Sequence, residues 1–188
     1  MTIYIALLRG INVGGKHKIK MADLKRIFET MGLSRVQTYI QSGNVLFVSD
    51  EEEEPLRKRL EQEIEVEYGF PVPVILRTSD ELKRVTANCP FSEETISEAE
   101  ASNEGESLYV SFMLEEPSQE KVERLEAYRS KDEHYRIVGK EVFLLFHRSV
   151  RDSKLANNLH KLDVPSTVRN WKTTNKLVEL ASAMEVNV

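Results

Sequence analysis

The sequence predicts an α+β protein made of two ferredoxin-like α/β plaits related by a weak internal repeat. Three observations predict it. The first half alternates in the order strand, helix, strand, strand, helix, strand; the second half repeats much of that order; and apolar blocks of the two halves align. Val142-Phe143-Leu144 follows Val45-Leu46-Phe47 at an offset of 97 residues, and Leu108–Met113 follows Ile3–Leu8 at an offset of 105. The eight-residue surplus between those offsets falls after the first strand of the first half.

Taken in order, residues 3–8 form an uninterrupted apolar strand. Residues 21–32 put Leu24, Ile27, Phe28 and Met31 on one helical face, with Gly32 as the stop. Residues 36–40 and 45–48 read as two strands around Gln41-Ser42-Gly43-Asn44, a hairpin turn rich in residues that tolerate positive φ. Asp50, four glutamates and Pro55 open a helix that runs to about residue 68 and sets acids at its positive end. Pro71 to Leu76 closes the first plait as a strand. The second half gives a strand at 108–113, a helix near 118–130, strands near 134–138 and 142–146 around Gly139-Lys140, and a helix near 153–162. Leu177, Leu180 and Met184 continue a helical face toward the C-terminus. The expected organisation is a first plait over 1–87, an acidic linker over 88–106 and a second plait with a C-terminal helix over 107–188. Strands 3–8 and 108–113 are apolar on both alternating faces, so neither sheet is expected to leave a face in water.

Composition narrows the function classes. The 188 residues include one cysteine, Cys89, which can form no internal disulfide and supports no zinc site built on cysteine pairs; a cytoplasmic protein is expected. No apolar run of about 18 residues exists to span a bilayer, so no membrane association is expected. The net charge of −5 argues against bulk attraction to nucleic acid. Yet the charge is segregated. Residues 50–67 carry nine acids and three bases, whereas residues 9–20 carry four bases and no acid, and residues 148–176 carry seven bases and two acids. Two basic islands in an acidic chain point to a localised anion site.

The first island is Arg9-Gly10-Ile11-Asn12-Val13-Gly14-Gly15-Lys16-His17-Lys18-Ile19-Lys20, between the first strand and the first helix. Glycines let backbone approach a phosphate or carboxylate, and Gly14, Gly15 and Lys16 could form an anion nest. Gly10 to Lys16 matches most of the P-loop pattern G-x-x-x-x-G-K, but His17 stands where a magnesium-holding Ser or Thr belongs, and the helix starts too late. Plait topology makes the first two strands parallel, so this loop and the 41–44 turn leave the same sheet end. Arg9, Gly10, Asn12, Gly14, Gly15, Lys16, Gln41, Ser42 and Asn44 are therefore candidate ligand-binding residues. Ser42 has no activating His or acid nearby, so hydrogen bonding suits it better than nucleophilic attack. In the second island Arg169 could clamp an anion while Trp171 stacks on a ring beside Asn170. His134, His147 and His160 show no metal-ligand spacing, no metal site is expected and no cofactor is indicated.

Leu8–Lys16, Tyr39–Val45 and the Thr167, Arg169-Asn170-Trp171 group resemble the signatures of a bacterial family of uncharacterised proteins, domain of unknown function 1697. The resemblance covers nearly the whole chain. It implies two α/β plait subdomains and carries no established activity, substrate or catalytic residue. The expected function is binding of a small anionic ligand, a nucleotide or phosphorylated metabolite, at the glycine-rich loop. The alternatives are an enzyme of unknown reaction type on a phosphorylated or carboxylate substrate, and a nucleic-acid-binding or protein–protein interaction module. Catalytic residues are unassigned, and an oligomer is left open.

Overall fold

The computed structural model describes residues 1–186. It divides into two compact units: Met1–Arg84 together with the chain from Asn175 onward, and Val85–Thr174. Each is built on a four-stranded antiparallel sheet.

In the first unit the order is β1 (Thr2–Leu8), α1 (Met21–Thr30), β2 (Ser34–Tyr39), β3 (Asn44–Ser49), α2 (Glu53–Tyr68) and β4 (Val74–Thr78). The strands lie in the order β2-β3-β1-β4. That is the βαββαβ plait, with β1 and β2 pointing the same way because each is antiparallel to β3. Its main core is one sheet face (Tyr4, Ala6, Leu8, Val45, Phe47, Val74, Leu76) packed under Leu24 and Phe28 of α1 and Leu56, Leu60 and Ile64 of α2. The helices form because those apolar residues recur at four-residue spacing, and α2 ends where Gly69 takes the left-handed conformation at φ 78°. The alternate face is buried as well, through Ile5, Leu7, Leu46, Ile75 and Arg77. Helix α3 (Ser79–Ala87) begins directly at the end of β4. It starts with a reciprocal capping box: the Thr78 N–H donates to Glu81 Oε2 at 2.8 Å and the Glu81 N–H to Thr78 Oγ1 at 3.2 Å.

The second unit contains α4 (Glu93–Ser102), β5 (Leu108–Met113), α5 (Gln119–Glu126), β6 (Glu133–Val138) and β7 (Glu141–Phe146). Short helical turns over 150–162 follow, among them α6 (Lys154–Asn158), then β8 (Ser166–Asn170) and the start of α7 (Trp171–Val186). The strand order, β6-β7-β5-β8, reproduces that of the first unit. Three elements differ from expectation. The 88–106 stretch holds α4, capped by the Ser92 hydroxyl accepting from the Thr95 N–H; its one fully buried side chain, Ala99, is why the segment lacks an apolar signature. The helix expected near 153–162 is broken into short turns. The basic island hides β8, a strand of Ser, Thr, Val, Arg and Asn that pairs with β5 along its length.

The repeat is more faithful in backbone bonding than in sequence. Leu8 N–H donates to Gly43 O and Arg9 N–H to Pro73 O; at the matching places Met113 N–H donates to Lys140 O and Leu114 N–H to Pro165 O. Arg77 lies opposite Ile5 across the β1–β4 ladder, as Arg169 lies opposite Val110 across β5–β8. Both arginines are buried, and each donates from Nη1 to the carbonyl of the residue before it.

Candidate functional site

The segment between β1 and α1 is a small hairpin. Lys16 N–H donates to Val13 O and Asn12 N–H to His17 O. Gly14 and Gly15 sit at φ 59° and 74°, both positive as a type I′ turn demands. The turn consumes the Lys16 amide, so the P-loop arrangement is absent, while its own hydrogen bond leaves the Gly14 and Gly15 N–H groups unused. His17 stacks on Phe70 with ring centroids 4.4 Å apart, and Phe70 in turn meets Tyr68, which pins the hairpin to the end of α2.

Asn12 locks this hairpin to the rest of the unit. At φ 56° its side-chain amide donates to Ile19 O at 3.0 Å and to Gln41 O at 2.8 Å, and its Oδ1 accepts from Ile19 N–H at 2.9 Å. The loop after β1 and the β2–β3 turn therefore meet, as the parallel arrangement of β1 and β2 requires. The meeting is tight at Gly43, where a Cβ would stand 2.6 Å from Ile11 Cδ1 and 2.9 Å from Leu8 Cβ. Asn44, fully buried, donates to Tyr39 O and to Ser42 Oγ at 3.0 Å. Asn12, Ser42 and Asn44 thus have architectural bonds that explain them as parts of the turn. Gly10, at φ 71°, supplies the bend out of β1.

What is left to meet a ligand is cationic. Arg9, Lys16, Lys18 and Lys20 are exposed, and among the described residues none of them forms an ion pair. Lys20 is the N-cap of α1 and gives it no side-chain cap. A helix start carries partial positive charge from its free N–H groups, so a lysine there adds repulsion that Asp23, on the first turn, offsets only in part and a bound anion would offset further. A groove of about 590 Å³ opens beside it, lined by Gly15, Lys18, Lys20, Met21, Asp23, Gln41 and Tyr68 with Asn12 and Ile19. The Tyr68 hydroxyl is closed off from solvent and has no hydrogen-bond partner among the described residues. Burial, then the charge of Asp23, pushes that phenol up from its usual pKa.

The remaining candidates belong to the second unit. Arg169 is buried in β8, with Nη1 donating to Thr167 Oγ1 at 2.9 Å and to Val168 O at 3.0 Å. Burial lowers its guanidinium to about 10, which leaves it charged at neutral pH. Asn170 Oδ1 accepts from the Thr173 N–H as a helix cap, and the Trp171 ring packs near Phe143 at 6.3 Å. Motif reasoning does not single out Lys18, Lys20, Asp23 or Tyr68. The lysines were visible as part of the basic island, but Tyr68 is brought in only by the packing of Phe70 on His17.

The fold and this basic, glycine-turned groove define a two-plait α+β protein whose first unit carries a loop absent from the second. The chain belongs to the family described as Protein of unknown function (DUF1697), whose model matches residues 1–143. It is also similar to a solved structure, the conserved bacterial protein SP0830 from Streptococcus pneumoniae, at 30% sequence identity, covering 96% of this chain and 98% of that one with a TM-score of 0.72. No match was found among curated proteins. Among the described residues no helix is long and apolar enough to cross a membrane.

Proposed function

We propose that the first unit binds a small phosphate-bearing molecule in the groove between the 12–17 hairpin and the start of α1. One observation carries the reading: Lys18 and Lys20, neither of them in an ion pair among the described residues, line one groove at a helix start that no side chain caps. Several cations elsewhere in the unit are paired, as Arg26 is with Glu67 at 3.0 Å and Lys58 with Glu54 at 2.6 Å. An anion held by Lys18 and Lys20, with the Gly14 and Gly15 amides and Arg9, Lys16 and Gln41 within the same loop region, would relieve that repulsion. Base stacking on the strand face, the mode of RNA-binding plaits, finds no open surface here, because Tyr4 and Phe47 are core residues at 5% and 0% exposure.

Titration of the full chain with inorganic phosphate and pyrophosphate, followed by thermal unfolding at constant ionic strength, tests the proposal. A ligand at a hundred times its Kd should stabilise by about 2.7 kcal/mol. The shift should shrink at least several-fold in the Lys18→Ala, Lys20→Ala variant. No shift, or an equal shift in the variant, overturns it. Turnover of a bound phosphorylated or carboxylate compound would favour the enzyme reading instead.

A further inference from the structure

Resting on that reading, we propose that the ligand is a nucleotide whose base lies against Asp23 and Tyr68 while its phosphate meets Lys18 and Lys20. The groove lining is divided by chemistry. Gly15, Lys18 and Lys20 supply the cationic part, and Met21 with the Tyr68 ring supplies an apolar part suited to a flat body. A free phosphate would need only the first. At about 590 Å³ the groove is within the size range of small-molecule sites and much larger than a phosphate requires.

Three polar groups in the lining point to a specific kind of flat body. Asp23 is half-buried on the first turn of α1 and, among the described residues, has neither an ion pair nor a hydrogen-bonding partner for its carboxylate. Its place on the first turn answers the positive end of α1, and the same carboxylate can accept N–H donors that a ligand brings. The Gln41 side-chain amide is exposed, lines the same groove and can both donate and accept. Tyr68 lines the groove while its hydroxyl is closed off from solvent without a partner among the described residues, a cost that is recovered when the side chain shifts to meet a donor or acceptor of the ligand. Anion, flat apolar body and N–H donors together describe a nucleobase bearing a phosphate. Guanine fits best, because its N1–H and N2–H form a fork matched to a carboxylate.

Calorimetric titration of the whole chain with inorganic phosphate, ribose 5-phosphate, GMP, AMP, CMP and UMP tests this, on the natural sequence and on Asp23→Asn and Tyr68→Phe. GMP should bind at least tenfold more tightly than ribose 5-phosphate. Asp23→Asn should remove that preference while leaving or tightening phosphate and ribose 5-phosphate binding, since a repelling charge is lost. Tyr68→Phe should raise the thermal stability of the free protein, by deleting an unpartnered buried hydroxyl, and lower nucleotide affinity. Binding of phosphate and ribose 5-phosphate with no preference for nucleotides overturns base recognition and leaves the anion site standing. A preference that survives Asp23→Asn also overturns it. Absence of binding by every compound overturns the anion site itself.

Discussion

The two plaits solve the same folding problem and differ where β1 and β5 hand the chain to a helix. After β5 the connection is Leu114–Ser118; after β1 it is Arg9–Lys20. On either side of that difference the units agree. The same two backbone bonds fasten the strand ends to Gly43 and Pro73 in one and to Lys140 and Pro165 in the other, and a buried arginine stands at the same register in each. The short connection shows that a plait needs no glycine-rich hairpin, no cations and no groove. Those features of the first unit are therefore additions, and their strain and charge need a reason outside the fold. The addition is also anchored: Asn12 and Gly43 fix it against the neighbouring turn, so it is held as a shaped surface and not left as slack chain.

The largest effect should come from testing that anchor against its counterpart. Gly43 and Lys140 accept the same backbone bond, but only Gly43 combines φ 87° with a neighbour 2.6 Å from any added Cβ. Gly43→Ala should cost about 2–4 kcal/mol, because it adds both backbone strain and a steric clash. Lys140→Ala should cost about 1 kcal/mol or less, since it is a half-buried turn residue with neither a positive φ nor a clash to relieve. Urea unfolding of both variants measures the contrast, and equal costs would mean that Gly43 is no tighter an anchor than its counterpart.

Next comes Asn12→Ala, which removes three hydrogen bonds from a residue at positive φ. A loss of about 1–3 kcal/mol is expected, mostly from leaving Ile19 and Gln41 backbone groups without their partner. Hydrogen exchange should then speed up at amides of residues 12–20 and not in β5 or α5. Uniform acceleration would show that the hairpin is part of the plait core.

Much of this comparison was legible in the sequence. The repeat, the strand order and the convergence of the loop with residues 41–44 all followed from apolar periodicity and turn residues. The nature of the loop was not. Gly14-Gly15 reads equally well as the approach to a P-loop or as a glycine turn, and the Lys16-to-Val13 bond shows the turn. β8 escaped because its inward residues are Thr167 and Arg169, and burial of polar and charged side chains leaves no apolar alternation to detect. A clue lay in position: Pro73 and Pro165 each precede the last strand of a plait. α3 carried its own signal, the Thr78-x-x-Glu81 capping box.

Lys20→Ser tests whether charge or fold governs the addition. It gives α1 the residue that stands at the N-cap of α5, Ser118. A serine can cap the helix and removes a cation from its positive end, so stability should rise by about 0.5–1 kcal/mol. Phosphate affinity should fall in the same variant. A gain in stability with unchanged affinity would place the anion elsewhere.

The smallest effect belongs to the second unit and is a matter of pH. His134 lies beside His147 with ring centroids 5.6 Å apart. Burial first, then the charges of His147 and Arg136, lower its pKa below the usual 6.5, despite an opposing bond to the Lys131 carbonyl. A histidine with a lowered folded pKa binds fewer protons folded than unfolded. Its contribution is therefore present above 6.5 and is lost as pH falls from there through the folded pKa. Thermal unfolding between pH 7.5 and about 5 should show a small loss of stability that His134→Gln flattens, while variants of the first-unit loop leave the slope unchanged. A slope that survives His134→Gln would move the titrating group out of this pair and overturn the assignment.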